Sequence, residues 1–179
     1  MGRTLGLPIS WAAPLVIGLM APHPAHALEM SGGLSLGGFQ AGTVPRLAIN
    51  PHAGISWNRA SNFLITINDT LSILPPTEHV GTGVYNDTSV TIGFASERAS
   101  FNAGPSFALY YMTACGLALC GPVAGLAAGG HAQTDVYFAE PVGVSVSANV
   151  NWIGGRSLVL PGGLAVMVLA GPVLRWRTK

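Results

Sequence analysis

Six ionisable side chains invite a chemical reading: Arg46, His52, Asp87, His131, Asp135 and Arg175. A histidine oriented by a carboxylate can act as a general base, and His/Asp groups can hold a metal. These six are scattered over four stretches of chain and carry no catalytic or ligand spacing. Charges enclosed in a narrow interior must be paired and hydrogen-bonded simply to be tolerated, so we read them as a polar network that fills an interior. Ser106 and Ser145 lack the Gly-x-Ser-x-Gly elbow of a serine nucleophile. The glycines between Gly121 and Gly130 lack the Lys-Ser/Thr ending of a phosphate loop, and no helix is expected after them. Glu78 and His79 adjoin no further ligands. The sequence therefore assigns no catalytic residue, no cofactor site and no metal site.

What must position the six residues is a set of strands, because apolar residues recur with period 2 rather than 3.6. From Val142 to Trp152 every even position is apolar and every odd one small or polar. Phe63 to Ile73 repeats the pattern, with Asp69 on the apolar parity and Leu64 on the polar one. Weaker versions run over Leu47–Trp57, Val84–Phe94, Phe101–Thr113 and Gly121–Phe138. A glycine-rich strand near Glu29–Phe39 and a final one over Leu158–Trp176 complete eight; in the last, Ala165, Met167 and Leu169 share the wet parity. Short turns are expected at residues 58–62, 96–100 and 139–141. The intervening connections, mostly longer, are expected at residues 40–45, 75–81, the cysteine segment and 154–156.

The direction of the two faces follows from composition. Charged residues are 8% of the 179-residue chain and the net charge is +1, which leaves no basic footprint for nucleic acid. A soluble barrel would expose its wet face and furnish it with Lys and Glu; here that face is Ser, Asn and Thr. A membrane barrel turns small polar side chains inward and apolar ones to lipid, with aromatic residues near the interfaces. Trp57, Phe94, Tyr111, Trp152 and Trp176 lie near expected strand ends. We therefore expect the even positions of the second strand and the odd positions of the fourth and sixth to face inward. His52, Asp87, His131 and Asp135 would then share the lumen, with at least one direct His–Asp pair.

Residues 1–27 read as an export signal: Arg3, an apolar stretch, then Ala25-His26-Ala27 with small residues at the −3 and −1 positions. A membrane anchor is the alternative, opposed by Pro8 and Pro14. Residues 28–179 would form a single domain. In an oxidising compartment Cys115 and Cys120 can close a short disulfide loop; two free buried thiols are the other reading.

The leader, the dyad-repeat strands, the alternating connections and the aromatic-ended last strand resemble the small eight-stranded bacterial outer-membrane β-barrel proteins. The resemblance implies an all-β, antiparallel, up-and-down barrel in the outer membrane. Its partners would be membrane lipid and, through the loops, another protein, in a structural or surface-interaction role. In such barrels the chain usually ends on the aromatic residue, whereas Arg177-Thr178-Lys179 follow Trp176 here. Two alternatives stand beside this reading: a soluble exported lipocalin-like or avidin-like binder in the periplasm or medium, and a membrane-embedded enzyme acting on lipid.

Overall fold

The computed structural model describes residues 27–42, 44–58, 62–77, 80–115, 120–156 and 161–177. The expected leader, residues 1–27, lies outside them apart from its last residue, Ala27. Eight strands follow one another: β1 (Ala27–Ala41), β2 (Val44–Asn58), β3 (Phe63–Leu74), β4 (Val80–Ala95), β5 (Ala99–Cys115), β6 (Cys120–Ala139), β7 (Val142–Arg156) and β8 (Pro161–Arg177). Each pairs antiparallel with its sequence neighbour, and β8 closes on β1. Closure leaves no free sheet edge, the condition for a sheet to sit in hydrocarbon.

The expected strands are all present, and most run further than the alternation alone suggested. Gly154-Gly155-Arg156, read as a connection, belongs to β7, and the link to β8 falls at residues 157–160. The loop-length contrast also shrinks. Residues 40–45 are a hairpin whose strands run to Ala41 and resume at Val44, and the cysteine segment is ladder up to the Cys115–Cys120 pair. Glycine, proline and small residues in these stretches resemble loop composition, yet cross-strand pairing continues through them.

The register sets the barrel's geometry. From Ser31 it runs through Gly54, Asn68, Ser89, Ser106, Gly129, Asn151 and Ala165, and returns to β1 at Ala41, ten residues further on. Eight strands with that stagger tilt by about 40° from the barrel axis, so each residue climbs about 2.5 Å along it.

Parity holds all the way round. Even residues of β2, β3 and β5 and odd residues of β1, β4, β6, β7 and β8 face the lumen, and their partners face out. Val90, Ile92, Phe107, Leu109, Leu126, Val146, Val150, Leu164 and Val168 are among the exposed apolar side chains of the outer belt. Outward aromatic residues border the belt: Trp57, Phe63, Phe94, Phe101, Phe138 and Trp176 toward the chain termini, Tyr111 and Trp152 toward the opposite end. From Phe101 to Tyr111 is ten residues, hence about 25 Å along the axis, the height of an outer-membrane apolar band.

Candidate functional site: the barrel lumen

The lumen is built in three layers. Opposite the termini, Phe39, Leu74, Tyr85, Tyr110, Met112, Ile153, Met167 and Leu169 pack into an apolar plug. Phe39 and Tyr85 stack obliquely, with ring centroids 5.3 Å apart. Met167 and Leu169, whose wet parity looked anomalous in the sequence, face into the lumen and help form this layer. Arg46 closes it above: its Nη2 donates to the carbonyl oxygens of Leu74, Pro75 and Gly81 at 3.1, 2.8 and 2.6 Å, tying β2 to the β3–β4 hairpin.

The middle layer is polar and organised by amides. The Asn151 side chain donates to Tyr85 Oη at 2.6 Å and to Asp87 Oδ2 at 2.7 Å, and its own oxygen accepts from Ser106 Oγ at 2.7 Å. His131 bonds through Nδ1 to Asn149 Oδ1, and its Nε2 faces Gln133 Oε1 at 3.4 Å. Gln133 Nε2 passes the chain on to Asp135 Oδ1 at 2.8 Å. Asp135 also accepts from Ser100 Oγ at 3.2 Å and Tyr137 Oη at 3.4 Å. His52 is half-buried, and its Nε2 has no protein partner among the described residues.

At the terminal end Arg175 lies over the Tyr137 ring, 3.7 Å from its centroid, and reaches the Glu97 carbonyl at 2.7 Å and Glu140 Oε1 at 3.2 Å. Arg177 bridges Glu29 and Glu140, each at 2.8 Å. Glu29 is buried while Glu140 is exposed, so the inner contact is the better shielded of the two.

All six candidate residues are on inward-facing positions, but they do not form one network. Arg46 and Arg175 sit at opposite ends. Among the described residues no histidine contacts an aspartate; Asn149, Gln133 and Asn151 stand where the direct pair was expected. The reason is the register: the ladder between β6 and β7 sets Asn149 directly across from His131, so an amide rather than a carboxylate meets the imidazole. These amides carry no charge to mark them in the sequence, although their parity puts them on the wet face; Glu29, Glu140 and Arg177 lie beyond the six candidates and pair with one another at the terminal end. No group of three or more His, Cys, Asp or Glu among the described residues is placed to hold a metal.

Within the barrel the cavity among Glu29, Asn68, Asn102, Asp135, Tyr137 and Arg175 measures about 20 Å³, room for about one water. A bound small molecule needs hundreds. A larger hollow of about 330 Å³ lies outside the lumen, among Glu97, Arg98, Phe138, Glu140 and Arg177 at the turns.

Solved structures share this architecture. The chain is similar to Neisserial surface protein A, with a TM-score of 0.54 at 10% identity over 84% of this chain and 97% of that one. It is similar to Ail, the attachment invasion locus protein of Yersinia pestis, solved in complex with the heparin analogue sucrose octasulfate: 0.52 at 11%, over 85% and 99%. For the N-terminal barrel domain of OprF from Pseudomonas aeruginosa the values are 0.50 at 13%, over 84% and 97%. The fold is that of the small eight-stranded outer-membrane β-barrels. No protein-family model and no curated protein matches the chain. The outward apolar belt between its two aromatic girdles is the surface that a barrel of this fold presents to lipid. The soluble-binder alternative is thereby set aside, since its apolar face would have to line the lumen.

Proposed function

We propose that the protein is a non-conducting outer-membrane barrel with a structural or surface-interaction role, its hairpin tips opposite the termini engaging another protein. The observation that carries this is the apolar plug: Phe39, Tyr85, Met167 and Leu169 are each at most 2% exposed. That layer seals the lumen and leaves the tips as the part free to make contacts outside the membrane. In planar bilayers the wild type should show no steady conductance. Phe39→Ala combined with Met167→Ala should introduce flickering openings. Stable wild-type channels would overturn the reading.

The tips have their own chemistry. Their sequence is apolar, with Leu117 and Leu119 in one and Leu158, Val159 and Leu160 in another; His79, Arg156 and Arg46 are the basic residues near them, and Arg46 is buried on backbone carbonyls. A sulfated polyanion needs a cluster of cations, so the ligand named for Ail does not transfer, and a protein surface suits these tips better. Cells displaying the barrel should adhere to protein-coated supports more than to heparin-coated ones. Serine at 117, 119, 158 and 160 should abolish the difference.

Export processing and the disulfide belong to the same proposal. Cys115 and Cys120 are directly opposed in the β5–β6 register, a pairing across which a bridge can form; their side chains lie outside the described residues. The ring is short, so the gain is about 2 kcal/mol at most. The intact mass of exported protein should correspond to Leu28–Lys179 less two hydrogens. Retention of Met1, or two thiols that alkylate without reductant, would defeat the respective half.

A further inference from the structure

One polar cluster faces the wrong way. Asp69 in β3 is exposed on the outer face, flanked along its strand by Ile67 and Leu71 and across the ladder by Ala53 and Thr88. Two β4 side chains serve it: Asn86 Nδ2 donates to Asp69 Oδ1 at 3.1 Å, and Thr88 Oγ donates to the same oxygen at 3.0 Å. Six residues separate Asp69 from Phe63 in the lower aromatic girdle, hence about 15 Å along the barrel axis. Asp69 is therefore near the middle of the belt, and among the described residues it is the one ionisable side chain facing outward between the girdles.

That depth restricts what can meet it. Lipid headgroups and water lie too far away, and acyl chains offer no hydrogen bond. Both bonds end on Asp69 Oδ1, so Asp69 Oδ2 takes part in neither; Asn86 Oδ1 is unpaired but enclosed. Asn86 also keeps its second N–H. An acceptor and a donor side by side on one face make that face self-complementary, the requirement for an isologous two-fold contact.

We propose that this face is a homodimer contact within the bilayer. About an axis along the membrane normal, each copy's Asn86 donates its second N–H to the other copy's Asp69 Oδ2, and Thr88 holds the carboxyl in place. Ala53 beside Asp69 keeps one flank low enough for close approach. The inference rests on the membrane placement, so its test reads the two separately.

Full-length mature protein carrying donor or acceptor dyes on its amines is reconstituted in phospholipid vesicles. Insertion is scored by heat-modifiable migration and protease protection, and association by energy transfer as protein is diluted with lipid. Failure to insert would count against the membrane reading alone. Inserted wild type should associate, and Asp69→Leu and Asn86→Leu should each weaken association about tenfold or more. Asp69→Asn, which keeps an acceptor, should stay within about threefold. Thr134→Leu, outward on β6, should change nothing. Asp69→Leu removes a polar group from lipid and so should insert at least as well as wild type. Inserted wild type that remains monomeric at high protein-to-lipid ratio, or Asp69→Leu that associates as wild type does, would overturn the proposal.

Discussion

Gly93→Ala should prevent stable closure of the barrel, costing about 3 kcal/mol or more, while Gly38→Ala should leave stability unchanged or slightly improved. A Cβ on Gly93 would lie 1.8 Å from the carbonyl oxygen of Phe101 and 2.6 Å from the Asn102 Cα. Gly93 faces the lumen and is paired with Asn102, where the tightly curved wall brings the β5 backbone into the space a side chain would occupy. No rotamer change relieves a clash with backbone, so the ladder itself must shift. Gly38 faces outward and a Cβ there meets nothing within 4 Å, so replacing glycine removes unfolded-state freedom at no steric cost. Urea unfolding in vesicles, followed by tryptophan fluorescence and gel mobility, compares the two. Equal effects would show that curvature at Gly93 does not govern closure.

The second large effect is expected from Val146→Arg. Val146 is an exposed belt residue in the middle of β7, and an arginine near the bilayer midplane costs about 2–4 kcal/mol. Ser147→Ala should change stability by about 0.5 kcal/mol or less, because Ser147 faces the lumen wall with its side chain partly accessible. The face is tested directly by placing single fluorophores at 146 and 147 in a Cys115→Ser, Cys120→Ser background and quenching from brominated acyl chains. Strong quenching at 146 and weak quenching at 147 is the expected result. Equal quenching at the two positions, or none at either, would undo the membrane assignment.

Much of this architecture is legible in residue order because a strand alternates its sides without exception. Val142–Trp152 and Phe63–Ile73 announce their inward and outward faces with no knowledge of their neighbours, and the scarcity of Lys and Glu on the wet face says which side meets lipid. Even the two misfits of β3 are informative: Leu64 is indeed buried inside, and Asp69 is indeed outside. Strand ends were harder to place. Gly154-Gly155-Arg156 has the composition of a turn, and only the pairing of Ile153 with Gly163 and of Arg156 with Pro161 shows that β7 continues through it.

By itself, then, the sequence determined which residues face lipid and which face the lumen, since period 2 is a property of each strand alone. It could not determine who meets whom inside. That depends on a closure stagger of ten residues, a collective property of eight ladders, and a different stagger would have brought other side chains to the same level. The tertiary structure placed Asn149 rather than an aspartate beside His131, separated Arg46 from Arg175 by the height of the barrel, and gathered Phe39, Tyr85 and Met167 from three strands into a seal. It also set Asn86 and Thr88 against Asp69. Some of these contacts cross neighbouring strands and others join strands far apart in sequence, and no local pattern encodes the register and tilt that align them.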